Sequence, residues 1–159
     1  FKKSLWERQR ELEKEYLKRN DQEYSRDNYK SIAKNLRRFS GRLKPEQKRR
    51  LQEAADSLQR FDRVWLQDRQ EWLAKLEPLL QKKTGWQQAI SHAYARREQD
   101  RSVAYQEHMQ YNMHVLSQAV ADVLNTLDEK QRARTFREIE DFRDELRRLA
   151  RQTQQADAA

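Results

Sequence analysis

The residues best suited to proton transfer or metal binding are three histidines, His92, His108 and His114, with Glu107 beside the second. A helical zinc-protease site needs two imidazoles four residues apart with a glutamate between them, so that both rings reach one ion from one face. His108 and His114 stand six apart, about 600° around a helix, and leave from different faces. Glu107 can meet Tyr111 or His114 in a polar cluster, but no H-E-x-x-H phrase is present. Glu138, Glu140, Asp141, Asp144 and Glu145 alternate with arginines three or four residues away, the pattern of ion pairs on a solvated helix face. Gly41 and Gly85 are the only glycines, so there is no glycine-rich phosphate loop. No serine sits in a recognisable nucleophile motif. With no cysteine, disulfides and thiolate metal sites are excluded. These residues imply no enzyme, no metal and no cofactor.

A different chemistry is available to aromatic rings and cations. Arg69 lies four residues after Trp65 and three before Trp72, so on a helix the three share a face where a guanidinium can meet an indole. Such a patch can hold a protein segment, although two tryptophans at this spacing more often pack as core. Tyr16, Arg19, Tyr24 and Tyr29 form a second candidate protein-binding surface, on a first helix whose centre (18–30) has only two tyrosines as large apolar groups.

The elements that carry these residues are helical. Leu5, Leu12, Tyr16, Leu17, Tyr24, Ile32, Leu36 and Phe39 recur at three- and four-residue steps, which predicts one long helix over 2–39. Ser40-Gly41 ends it, with Gly41 suited to the left-handed residue past a helix end. Pro45 starts the next helix, where Leu51, Leu58, Trp65, Trp72 and Leu79 follow at seven-residue steps as in a coiled coil, and Pro78 kinks or ends it near Glu77. Thr84 reads as the cap of a helix over 85–99; continuation through 102–125 is left open, because residues 98–102 are polar without a breaker. The last helix, about 128–152, carries Phe136, Ile139, Phe142, Leu146 and Leu149, and 153–159 reads as a frayed tail. The expected fold is all-α, an elongated antiparallel bundle of four to five long helices forming one domain over residues 1–152.

Composition agrees with long helices: two glycines and two prolines, 36% hydrophobic and 38% charged residues. No apolar run approaches the ~18 residues of a membrane span. The net charge of +8 suits nucleic acid, an anionic membrane, or acidic and unfolded protein segments. The basic runs are spread along the chain and interrupted by acids, whereas a nucleic-acid footprint concentrates on one face, so nucleic acid is the least favoured partner. Residues 37–50 nevertheless make a local basic patch.

One phrase occurs twice. In LKPEQKRRL (43–51), Leu43 can staple the first turn, Pro45 begins the helix, and Gln47 reaches back to cap free N–H groups. LDEKQRARTF (127–136) repeats the device with Leu127, Asp128 and Gln131. The two copies resemble the LTxxQ pattern of the periplasmic Spy and CpxP stress proteins. Leu43, Gln47, Leu127 and Gln131 match it, while Lys44 and Asp128 stand where that family has Thr. Over nearly its whole length the chain is similar to a family of uncharacterised bacterial lipoproteins with a domain of unknown function. LEKEYLKRNDQEY (12–24), RRFSGRLKPEQKRRL (37–51), WLQDRQEWLAKL (65–76) and LDEKQRARTFREIEDFRDELRRLA (127–150) carry that likeness.

The resemblance implies a signal and a lipidated cysteine upstream of Phe1, with a periplasmic chain anchored to the outer membrane. It brings no established activity. Spy-like proteins use a basic, partly apolar helical surface to hold unfolded proteins without ATP. The functional expectation is therefore a non-enzymatic protein-binding module, a holdase chaperone or envelope-stress component. The alternative is a scaffolding lipoprotein domain with one envelope partner. A homodimer is compatible with the seven-residue seam, which can close within the chain or across a two-fold axis.

Overall fold

The computed structural model describes residues 2–81 and 83–157, and its regular structure is entirely helical. Among the described residues there are seven helices: α1 (Lys2–Tyr16), α2 (Asp21–Ser40), α3 (Pro45–Ser57), α4 (Asp62–Leu79), α5 (Trp86–Ala95), α6 (Val103–Asn125) and α7 (Glu129–Asp157). The all-α class is as the sequence implied. The number exceeds the expected four or five because three stretches read as continuous or open contain real breaks.

The first break, at residues 17–20, divides the helix expected over 2–39. Asn20 and Glu23 form a reciprocal capping box: the Glu23 N–H donates to Asn20 Oδ1 at 2.8 Å and the Asn20 N–H to Glu23 Oε2 at 3.0 Å. Arg60 serves the other side of the break, donating to the carbonyl oxygens of Tyr16, the last residue of α1, and of Arg19 within the break. The second break, at 58–61, splits the seven-residue seam. Here the backbone bonds go to distant side chains. The Gln59 N–H donates to Asn112 Oδ1 and Asn112 Nδ2 to the Gln59 carbonyl, each at 2.9 Å. Tyr24 Oη donates to the same carbonyl and accepts from the Phe61 N–H, each at 3.2 Å. The third break ends α5 before Arg96, and α6 begins where Ser102 Oγ accepts the Tyr105 N–H at 3.2 Å. Residues 85–125 are therefore two helices. Gly85, in the left-handed conformation, rather than Thr84, occupies the cap position of α5. Pro78 falls in the last turn of α4, and α7 continues to Asp157, so the expected tail is helical over 153–157.

The chain divides into two compact units, each discontinuous in sequence: residues 1–24 with 58–115, and residues 25–57 with 116–159. In the first, α4 packs against α1 and α5. Leu66, Trp72, Leu73 and Leu76 of α4 are buried with Leu12 of α1 and Tyr105 of α6. Each large apolar side chain so buried contributes about 2 kcal/mol. Gln9 is buried in α1, with Nε2 donating to Glu13 Oε1 at 2.8 Å and the Leu66 carbonyl at 3.2 Å.

The second unit has a core of small and branched side chains: Ala33, Leu43, Leu51, Ala54, Ala55, Ala119, Val123 and Leu127. It contains two helix–turn–helix corners, at residues 41–44 and 126–128. Gly41 has φ 77°, its N–H donating to the Arg37 carbonyl at 3.0 Å, which is the left-handed helix stop its position implied.

Candidate functional site

Most of the aromatic–cation residues named from sequence lie inside the first unit. Trp72 and Tyr24 are buried, and Tyr16, Trp65, Arg19 and Arg69 are half-buried. Tyr16 meets Trp65 edge-on at 5.6 Å, and Arg19 lies over the Tyr16 and Tyr24 rings at 4.6 and 5.6 Å. The guanidinium stacked on Trp72, at 4.7 Å, is that of Arg97 and not the expected Arg69. Arg69 keeps a buried Nε without a hydrogen-bond partner. Tyr29 is half-buried and belongs to the second unit. Arg19 thus lies over both tyrosines named with it, whereas the cation on Trp72 comes from outside the residues named from sequence.

Those cations are fixed by two buried carboxylates that sequence reasoning passed over. Asp62 and Asp68, six residues apart at the start of α4, are only 7% and 3% exposed. Asp62 accepts from Arg19 at 2.6 Å and Arg60 at 3.4 Å. Asp68 accepts from Arg97 and, at 2.9 Å, from Arg101. Arg101 also stacks on Tyr105 at 4.0 Å and donates to Glu98 from Nε and Nη2. The hydrogen bond from Arg101 keeps the Glu98 carboxyl below its ordinary value, and burial pushes the Tyr105 hydroxyl above its own. A buried carboxylate requires such partners, because an uncompensated charge in a core is costly. The aromatic–cation clusters therefore tie α1, α4 and the α5–α6 turn together.

The repeated motif is brought to one place in the second unit. Gln47 is fully buried and Gln131 nearly so. Their side-chain amides pair reciprocally across 84 residues: Gln47 Nε2 donates to Gln131 Oε1 at 3.2 Å, and Gln131 Nε2 to Gln47 Oε1 at 3.1 Å. Each glutamine also caps its own helix, Gln47 Oε1 accepting the Lys44 N–H at 2.9 Å and Gln131 Oε1 the Asp128 N–H at 3.2 Å. Each then reaches the other corner, Gln47 the Thr126 carbonyl and Gln131 the Arg42 carbonyl. Leu43 and Leu127 are buried beside them, and Pro45 opens α3 as expected. The two residues that depart from the LTxxQ pattern form an ion pair, Lys44 Nζ to Asp128 Oδ2 at 3.0 Å. The Gln131 N–H and then Lys44 hold the Asp128 carboxyl below its ordinary value.

An exposed surface with binding character lies on α7. Phe136 is 64% exposed, and Ile139, Phe142 and Leu146 are each 49–50% exposed, with Leu149 continuing the row. The five project within an arc of about 140°. Isolated apolar residues on a surface are ordinary, but a contiguous row on one helix marks a contact site. The sequence displayed this row as one more seam. Nothing in its spacing distinguishes it from the buried seam of α4.

Among the described residues, no three His, Asp or Glu side chains converge as metal ligands. His108 is half-buried, with Nδ1 2.9 Å from the Ala104 carbonyl oxygen of its own helix. No described helix is long and apolar enough to cross a membrane. No protein-family model, curated protein or solved structure matches this chain. The functional reading therefore rests on the surface itself.

Proposed function

We propose that the chain is a non-enzymatic protein-binding module that holds apolar segments of other proteins without ATP, in the manner of a Spy-like holdase. The observation that carries this reading is the exposed row Phe136, Ile139, Phe142 and Leu146 on α7. Such a row loses ordered water on meeting an apolar segment, at about 25 cal/mol per Å2 covered. The net charge of +8 favours clients whose apolar segments are flanked by acids and attracts them over distance. Arg143 and Arg147, beside the row, offer cations at its edge, each within 3.6 Å of Asp144.

The arrangement of long antiparallel helices expected from sequence belongs to the same proposal, as do a periplasmic location and an outer-membrane lipid anchor. A scaffolding role with one defined envelope partner is the second reading, favoured by the narrowness of the row, which fits a single helix. The test is aggregation of several unrelated heat-unfolded clients with equimolar purified chain. Suppression across clients, lost on Phe142→Ser with Leu146→Ser, supports the holdase. Suppression of none removes it.

A further inference from the structure

The second unit contains a cationic concavity that the holdase reading does not use. A cavity of about 470 Å3 is lined by Arg37, Gly41, Arg42, Leu43, Lys48 and Arg134. Four of these six residues are cations and none is an acid. Arg37 comes from the end of α2, Arg42 from the turn, Lys48 from the first turns of α3, and Arg134 from α7. The α2–α3 corner and α7 are held together beside it by the Gln47–Gln131 amide pair. The concavity is therefore built by the fold rather than by one flexible segment.

Charge pairing differs between this place and part of the surface around it. Five arginines of α3 and α7 are answered by acids one to four residues away: Arg49 by Glu53, Arg50 by Glu46, Arg143 and Arg147 by Asp144, and Arg148 by Glu145. Arg37, Arg42 and Lys48 form no ion pair with any described residue. Arg134 reaches only Glu138, at 3.6 Å, while its Nη2 lies 3.5 Å from the Arg38 carbonyl. Like charges gathered in a concavity repel one another and focus a positive potential. An anion at their centre relieves that repulsion.

Gly41 makes the approach possible. Its left-handed backbone carries no side chain, and a Cβ there would lie 3.3 Å from Arg134 Cδ. The Arg134 side chain thus lies across the bare backbone of the turn. Guanidinium forks match the paired oxygens of a phosphate, and a lysine adds a point charge. A free inorganic phosphate occupies only a small part of the space, which leaves room for the group esterified to it.

The geometry points to an anion site for a phosphate ester, at Arg37, Arg42, Lys48 and Arg134. The same chemistry is offered by a soluble phosphate ester and by an anionic phospholipid headgroup. Two probes separate these sources: pyrophosphate followed by titration calorimetry, and sedimentation with vesicles of phosphatidylglycerol or phosphatidylcholine, both at about 50 mM salt. The pocket variant is Arg42→Gln with Lys48→Gln. The charge-matched control is Arg8→Gln with Arg26→Gln, two residues more than half exposed and outside the cavity.

The expected result is binding that the pocket variant weakens about tenfold or more and the control leaves within about twofold. Dependence seen with pyrophosphate identifies the soluble source, and dependence seen only with phosphatidylglycerol vesicles the lipid source. Absence of binding to both probes, or equal weakening by the two variants, overturns the site. Circular dichroism and urea unfolding of each variant confirm that the fold is intact. Failure of this site leaves the α7 reading untouched, since the two share no residue.

Discussion

Two glutamines show how a local device becomes a long-range one. Each alone is a helix cap of a familiar kind, and that much could be read from Leu43-x-x-x-Gln47 and Leu127-x-x-x-Gln131. Their mutual pairing could not, because contact across 84 residues leaves no periodic trace. Replacing Gln47 with Leu takes one partner from each end of the Gln131 amide and removes those of the Lys44 N–H and the Thr126 carbonyl, at a cost of about 3 kcal/mol. Gln131→Leu should cost a similar amount. Because the two share one network, the double variant should lose less than the sum by at least about 1 kcal/mol, as read from urea midpoints in a double-mutant cycle. Strict additivity would show that the amides act separately. Asp128 adds a pH dependence of known sign. Its folded-state carboxyl titrates below its ordinary value, so its contribution is present above that value and is lost as pH falls through the depressed one. Asp128→Asn keeps an N-cap side chain but loses the charge opposite Lys44. The variant should unfold at lower urea than the parent at neutral pH, with the gap closing as pH falls through the depressed carboxyl value.

At the scale of elements, the helices were legible and two of their ends were not. The capping box at Asn20 and Glu23 stands in plain sequence, but the steady apolar period on either side of it reads as one helix. The break at 58–61 has no local signal, since Tyr24 and Asn112 supply its hydrogen bonds from other elements. This is tertiary structure overriding a strong seven-residue pattern. The same limit hid the role of Asp68, whose partners Arg97 and Arg101 belong to a distant turn. Asp68→Ala should destabilise the chain by about 3 kcal/mol in urea unfolding, because it leaves two guanidinium groups without their shared carboxylate. A loss below about 1 kcal/mol would mean that water replaces it. On α7 the expectation is reversed. Phe142→Ser and Leu146→Ser remove half-exposed side chains, so each should change stability by no more than about 0.5 kcal/mol. A large loss would place these residues in a core.

On the proposed reading, charge and the α7 row act together at the scale of the whole molecule: the excess of 34 basic over 26 acidic residues speeds encounter with acidic clients but confers little affinity once salt is present. Association with a client should slow several-fold between about 50 and 300 mM salt, while dissociation, set by the apolar row, stays nearly constant. Stopped-flow fluorescence of a labelled client separates the two rates. Composition exposed the charge and the helical class; which seam would remain uncovered depended on how every other seam was consumed. The most direct test of the central claim is light scattering of a heat-unfolded client with equimolar parent chain and with the Phe142→Ser, Leu146→Ser double variant. The account predicts suppression by the parent and its loss in a variant of unchanged helicity. Equal suppression by both, or none by the parent, would contradict it.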